Sequence, residues 1–247
     1  MILCSGCSFT IGSHKDNNNN DIDYDHWPVF IPNSKNVARG GAGNRLIARQ
    51  IFDNITEDIK AVCVMWSTIE RYDYYQPIIN GYKCEGASYT GNKEEYLKYF
   101  YTEFNMIAKS LEYFLLIQNT CKAKDIPYIP MHMGDVRYKD WDQDKAYGCD
   151  TSSGALRVLT DGEKENPADI KSFLDLVSFH KHEREFIQKL WDQVEWDKWL
   201  FNHDWGGFWQ FTNDNNYDWI AQHPGEQAHK AWAEQKIIPR LKQLKVI

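Results

Sequence analysis

Two short stretches near opposite ends of the chain carry side chains able to act on one another. The first is Cys4-Ser5-Gly6-Cys7-Ser8-Phe9-Thr10, which grows out of an apolar run beginning at Met1. An apolar run of that length, ended by Gly, reads as a buried parallel strand that stops in a tight turn. In an open α/β sheet the ligand crevice lies just beyond the carboxyl ends of the strands, so Ser8 is expected at the mouth of the sheet. A hydroxyl in that place becomes a nucleophile once a base can take its proton. Without such a base it reads as the cap of the following segment. The second stretch, Gln222-His223-Pro224-Gly225-Glu226, runs into an amphipathic helix through Ile238 and Leu241. Pro224 suits a helix's first turn, which holds His223 just ahead of a helix start at the rim of the sheet. Histidine is the side chain that changes charge nearest neutral pH, which makes His223 the natural base for Ser8.

The elements that must position these residues follow in chain order. Residues 11–27, with four consecutive Asn, read as an exposed loop, and 28–32 as a short extended piece. Asn36 to Asn44 holds Gly40, Gly41 and Gly43 ahead of the apolar positions Leu46, Ile47 and Ile51. That composition marks a strand-to-helix turn whose amide groups can bind an anion or an oxyanion. It is neither a Walker loop nor a GxGxxG turn. Ala61 to Trp66 is the clearest buried strand and ends in Ser67-Thr68. Residues 76–92 read as loop, and 94–124 as a helix with Leu97, Phe100, Phe104, Ala108, Leu111 and Leu115 on one stripe. A strand over 126–132 places His132 at its end as a hydrogen-bonded structural residue. Residues 134–170 form a polar excursion. Phe179, Phe186, Ile187, Leu190 and Val194 mark a helix over 172–195, in which His180 and His182 do not share a face and so do not make a zinc pair. Trp199 to Phe201 reads as the last strand, and an aromatic, Gly- and Asn-rich loop runs on to Trp219.

Composition bounds the function. The chain has 247 residues, the range of one large domain or two small ones, and a formal charge of −7 without a Lys/Arg cluster. No nucleic-acid partner and no anionic membrane partner is therefore expected. No apolar run reaches the ~18 residues of a membrane span, and no leader pattern opens the chain, so a cytoplasmic, soluble protein is expected. Six Cys show neither zinc-type pairing nor a secreted staple pattern, and buried free thiols are the expectation.

Taken together, the pattern resembles the SGNH (GDSL-type) hydrolase family. Gly6-Cys7-Ser8 is similar to the family's Gly-Asp-Ser block. Asn36-Val37-Ala38-Arg39-Gly40-Gly41 is similar to its second, Asn-led block, which ends in an oxyanion-hole Gly. Ile220-Ala221-Gln222-His223-Pro224 is similar to its closing Asp-x-x-His-Pro block, and Ala228-His229 to a step in its last helix. The sequence departs from the family at three places. Cys7 replaces the usual Asp, and Ser67-Thr68-Ile69-Glu70 stands where Gly-x-Asn-Asp is usual. Ile220 occupies the place of the Asp three residues before the His, with Asp218 five before it. Phage-type relatives with Trp-Ser in the third block look similar, and a virion-associated setting is compatible with that likeness.

The resemblance implies an α/β fold: a three-layer α/β/α sandwich, flavodoxin-like, with a central parallel sheet of about five strands in a single domain over 1–247. It implies a serine esterase in which Ser8 attacks the acyl carbon, His223 is general base and Asp218 orients the imidazole. A Ser8–His223 dyad using a backbone carbonyl is the alternative arrangement. Gly41, with help from Ser67, would hold the oxyanion, and one missing oxyanion donor costs ~10²–10³ in rate. Trp205 and Trp209 would stack against substrate, a small acyl ester or an acetylated sugar. No metal and no organic cofactor is implied. The alternative reading keeps the fold as a binding or structural protein with weak or lost chemistry.

Overall fold

The computed structural model describes residues 1–11, 13–15, 21–69, 71–76, 81–85, 103–134, 180–202, 206–220 and 223–247. Its centre is a sheet of four parallel strands, β1 (Ile2–Gly6), β4 (Ser34–Asn36), β5 (Ala61–Trp66) and β8 (Tyr128–His132), in the spatial order β4-β1-β5-β8. Along the chain, a separate antiparallel pair, β2 (Ser13–Lys15) and β3 (Asp21–Asp23), comes between β1 and β4. The register is continuous: Cys4 pairs with Cys63, Gly6 with Met65, and Trp66 with His132. β1 and β5 are buried along their whole length, as parallel strands covered on both faces must be.

Side-chain alternation sorts the helices onto the two faces. Trp66 and Tyr128 point to one face, where Trp66 Nε1 donates to Tyr128 Oη (2.9 Å) and the Trp66 ring packs on Phe114. Phe114 belongs to α3 (Glu103–Ala123), and α2 (Asn44–Asn54) joins it through a hydrogen bond from Asn44 Nδ2 to Ser110 Oγ (3.1 Å). Met131 points the other way, where Trp232 Nε1 reaches its sulfur (3.2 Å). Trp232 closes α6 (Glu226–Trp232), which runs through a π-helical turn (Ala233–Ile237) into α7 (Ile238–Gln243). Helices therefore cover both faces, giving an α/β/α sandwich. α1 (Ser8–Ile11), α4 (Lys181–Trp191), α5 (Phe208–Asp214) and a 3-10 turn (Trp196–Lys198) complete the helices among the described residues. None of these helices is long and apolar enough to cross a membrane.

Several local expectations are corrected. The fifth strand shrinks to one bridge, Met131 with Leu200. Leu200 N donates to Pro130 O (2.8 Å), but Pro130 has no N–H to return, so the ladder stops there. Residues 28–32 are successive turns (Val29 N to His26 O, Ile31 N to Pro28 O), and pairing with β1 begins only at Ser34. Pro28 and Pro32 lack the donors that a strand needs. The loop expected over 11–27 contains the β2–β3 pair and ends in buried His26 and Trp27. One large aromatic outweighs the polar residues before it. The loop expected over 76–92 holds part of the antiparallel pair β6 (Tyr72–Gln76) and β7 (Gly81–Glu85). Tyr72 and Tyr74 alternate ahead of the turn, and aromatic alternation is a strand signal that outweighs the Gly and polar residues around it. In α4, Phe186 is 43% exposed, whereas Ile187 and Trp191 face the core. Pro224 is not in a helix's first turn: β9 (Trp219–Ile220) and β10 (His223–Pro224) form a short hairpin, Gly225 is the N-cap, and α6 starts at Glu226. Leu97, Phe100, Phe179 and the 134–170 excursion fall outside the described residues, apart from the single Gly134.

Candidate active site at the carboxyl end of the sheet

β1 ends at Gly6, and the chain folds straight back into α1. A Cβ on Gly6 would collide with Thr10 Oγ1 and lie 2.9 Å from Met65 O, so only glycine permits the reversal. Ser8 is the first residue of α1 and retains 9% of its exposure. The turn is pinned from the β4 side, where Asn36 Nδ2 donates to Thr10 O (2.8 Å). Beyond β4 the chain stays beside β1, with Val37 N on Cys4 O (2.8 Å) and Arg39 N on Gly6 O (3.2 Å). The Gly40-Gly41 turn is thereby delivered to the carboxyl end of β1. Gly41 has φ +71° and is exposed, with open space where a side chain would be.

His223 comes from the far end of the chain on the β9–β10 hairpin. It pairs with Ile220, and Gly225 N donates to Asp218 O (2.7 Å) one step further along. Strand alternation puts Asp218, Ile220 and His223 on one face of this ribbon, with Asp218 diagonal to His223. Diagonal Cβ atoms lie ~7–8 Å apart, within reach of long or aromatic side chains. Tyr24 anchors the hairpin by donating from Oη to Pro224 O (2.8 Å), and burial pushes its phenol well above the ordinary range. The His223 ring meets Phe9, the residue after Ser8, edge to face at 5.1 Å. The two sequence-distant stretches therefore meet over α1.

Phe9 is also the floor of an aromatic wall. Trp209 stacks on it at 6.1 Å, and Trp219 lies 4.2 Å from Trp209 with its indole N–H on Asn213 Oδ1 (3.1 Å). Trp209 is set by its backbone, whose N–H donates to Met133 O (2.7 Å). The start of α5 presses so closely on β8 that a Cβ on Gly207 would run into the carbonyl oxygens of His132 and Gly134. Trp205 lies outside the described residues.

Ser67 is fully buried. Its amide donates to Asn44 Oδ1 (2.9 Å), and its hydroxyl faces Met133 Sδ (3.5 Å), which Cys7 Sγ also approaches (3.8 Å). Asp73 holds the start of α2 from outside that helix. Its two oxygens accept Gly43 N (2.9 Å) and Leu46 N (2.8 Å). Behind the hairpin, His229 Nδ1 accepts Trp27 N (3.4 Å), and the His26 and His229 rings lie 4.9 Å apart. His132 is the hydrogen-bonded structural residue expected, its Nδ1 within 3.0 Å of Gly134 O.

Phe9, Trp219, Tyr24 and Asp73 are the residues around the site that sequence reasoning did not assign. Trp219 could have been found, since it alternates with Asp218 immediately ahead of His223. Tyr24 and Asp73 act across long stretches of chain and leave no local signal. Cys4, Cys7, Cys63 and Cys121 are free and buried. Among the described residues no three His, Cys, Asp or Glu side chains are grouped to hold a metal ion. No family model matches the chain, and a search of the curated proteins finds no match to it.

Proposed function

We propose that the protein hydrolyses esters by nucleophilic catalysis at Ser8. The observation that carries this reading is the packing of the His223 ring on Phe9, one residue from a serine placed at the carboxyl end of the first strand. Ser8 Oγ attacks the acyl carbon as His223 takes its proton. The proton then passes to the departing alcohol as the ester C–O bond breaks, and water repeats the sequence on the acyl-enzyme. Asp218 orients the imidazole from its diagonal place on the hairpin. The amides of Ser8 and Gly41 hold the oxyanion. Ser67 joins them only if its hydroxyl turns away from Met133, so the hole has few donors and the reaction is correspondingly slow.

Small acyl esters fit this site, including O-acetyl groups on sugars, whose ring faces suit the half-buried indoles of Trp209 and Trp219. A second reading, a binding protein with little chemistry, is favoured by one specific observation: Ile69 stands where the family's oxyanion Asn would, and Ser67 beside it is completely buried. A fluorophosphonate probe separates the two. Rapid labelling that disappears in Ser8→Ala and slows in His223→Ala supports the esterase. No labelling, with no turnover of aryl acetates or acetylated sugars, establishes the binding protein.

A further inference from the structure

A small cavity opens beside α2, with Asn44 in its wall. Arg45, Arg71, Asp73, Asn105, Lys109 and Ser110 are among the residues lining its space of about 30 Å³. A single water needs ~10–15 Å³ measured in this way, so the space suits a group somewhat larger than water, about the size of a carboxylate or a phosphate.

Three cations converge on it from three separate elements: Arg45 from the first turn of α2, Arg71 from the segment after β5, and Lys109 from α3. Asp73 is the one carboxylate among its described lining residues, and both of its oxygens already receive backbone amides of the α2 start. Arg71 is the telling residue. The residue is half-buried and its guanidinium carries five N–H donors, yet among the described residues that group's one hydrogen bond is a long contact from Nη1 to Ala42 O (3.5 Å). A planar fork with open donors, facing a small cavity, matches the two oxygens of an oxyanion.

We infer that this cavity is an oxyanion-binding site, taking a carboxylate or phosphate group bidentately on Arg71 with Arg45 and Lys109 in support. The site is separate from Ser8 and stands whether or not that serine is catalytic.

Isothermal titration of the intact protein at low ionic strength, in chloride buffer, tests it with inorganic phosphate in one arm and malonate in the other. Saturable one-site binding of either anion is expected, weakening as NaCl is added, and the tighter arm names the chemistry. Arg71→Gln should weaken binding tenfold or more, and Arg71→Lys less, because it keeps the charge but loses the fork. Lys109→Gln, on a different element, should weaken it about threefold, and far-UV circular dichroism checks that each variant is folded. Absence of saturable binding in both arms for the unaltered protein overturns the inference. So does unchanged affinity in both Arg71→Gln and Lys109→Gln.

Discussion

Asp73→Ala is the sharpest test of how the site's scaffold is held. The Asp73 side chain is 2% exposed and accepts two backbone amides, Gly43 N at 2.9 Å and Leu46 N at 2.8 Å. Hydrogen bonds to a charged group contribute about 1.5–3 kcal/mol each, and a carboxylate at a helix start adds about 0.5 kcal/mol through the dipole. Allowing for partial relaxation, the loss should be about 3–5 kcal/mol, a large share of the ~5–15 kcal/mol that holds a domain together. Urea unfolding followed by Trp fluorescence reads it directly, as a lower midpoint at unchanged slope. Asp73→Asn keeps one acceptor oxygen and should lose roughly half as much. Gly43 provides an internal check, because a Cβ there would lie 2.8 Å from Asp73 Oδ2 and 2.8 Å from Arg71 O. Gly43→Ala should therefore destabilise less in the Asp73→Ala background than alone, a coupling that independent sites do not show. A loss under about 1 kcal/mol in Asp73→Ala would refute the capping argument.

Gly207→Ala drives a methyl group into two backbone carbonyls and should cost about 3 kcal/mol. It should also weaken the near-UV circular dichroism that arises from the Phe9–Trp209–Trp219 wall. Asp218→Asn should lower ester hydrolysis by up to ~10⁴ while leaving the unfolding midpoint in place, if the carboxylate orients His223. An unchanged rate assigns the chemistry to a Ser8–His223 dyad. Burial pushes the Cys121 thiol from its ordinary 9.0 up to about 12 and raises Cys4 as well, where Cys63 lies alongside. With the folded values raised, the unfolded chain gives up these protons first. Stability is then whole below pH ~9 and falls as pH climbs toward 12. Urea midpoints between pH 8 and 11 should show that fall, and Cys121→Ala should make it shallower.

The parts of the fold legible in the sequence are those whose signal is local and apolar. Ala61–Trp66 and Met1–Gly6 read as buried strands because every residue in a doubly covered parallel strand is apolar or small. The Gly-rich turn before α2 was legible for a similar reason, since glycines mark close backbone approach. What escaped depended on partners far along the chain. The Trp199–Phe201 segment has strand-like residues, but its pairing is decided by Pro130 on its neighbour. Trp27 sits in polar company and is buried because Thr10 and His229 enclose it, with its indole N–H on Thr10 Oγ1 (3.3 Å). Ser8 and His223 could be singled out by type and by place at element ends. Phe9, which joins them, looked like one more core aromatic. The hairpin register places Asp218, five residues before His223, diagonal to it, a relation that linear spacing hides.

The hairpin's anchorage has a consequence in time. Tyr24 and Pro224 stand 200 residues apart, and Trp27 and His229 stand 202 apart, yet these contacts fasten the segment that carries His223. A ribosome adding ~5–20 residues each second needs roughly 10–40 seconds to make the chain between them. Throughout that interval Ser8 and Phe9 exist without the hairpin that packs on them and without α6. A chain stalled in that interval presents Phe9 without the His223 ring that packs on it. Docking of the hairpin and α6 closes the contacts of Phe9 and Trp27 together, so this end of the sheet is finished late in synthesis.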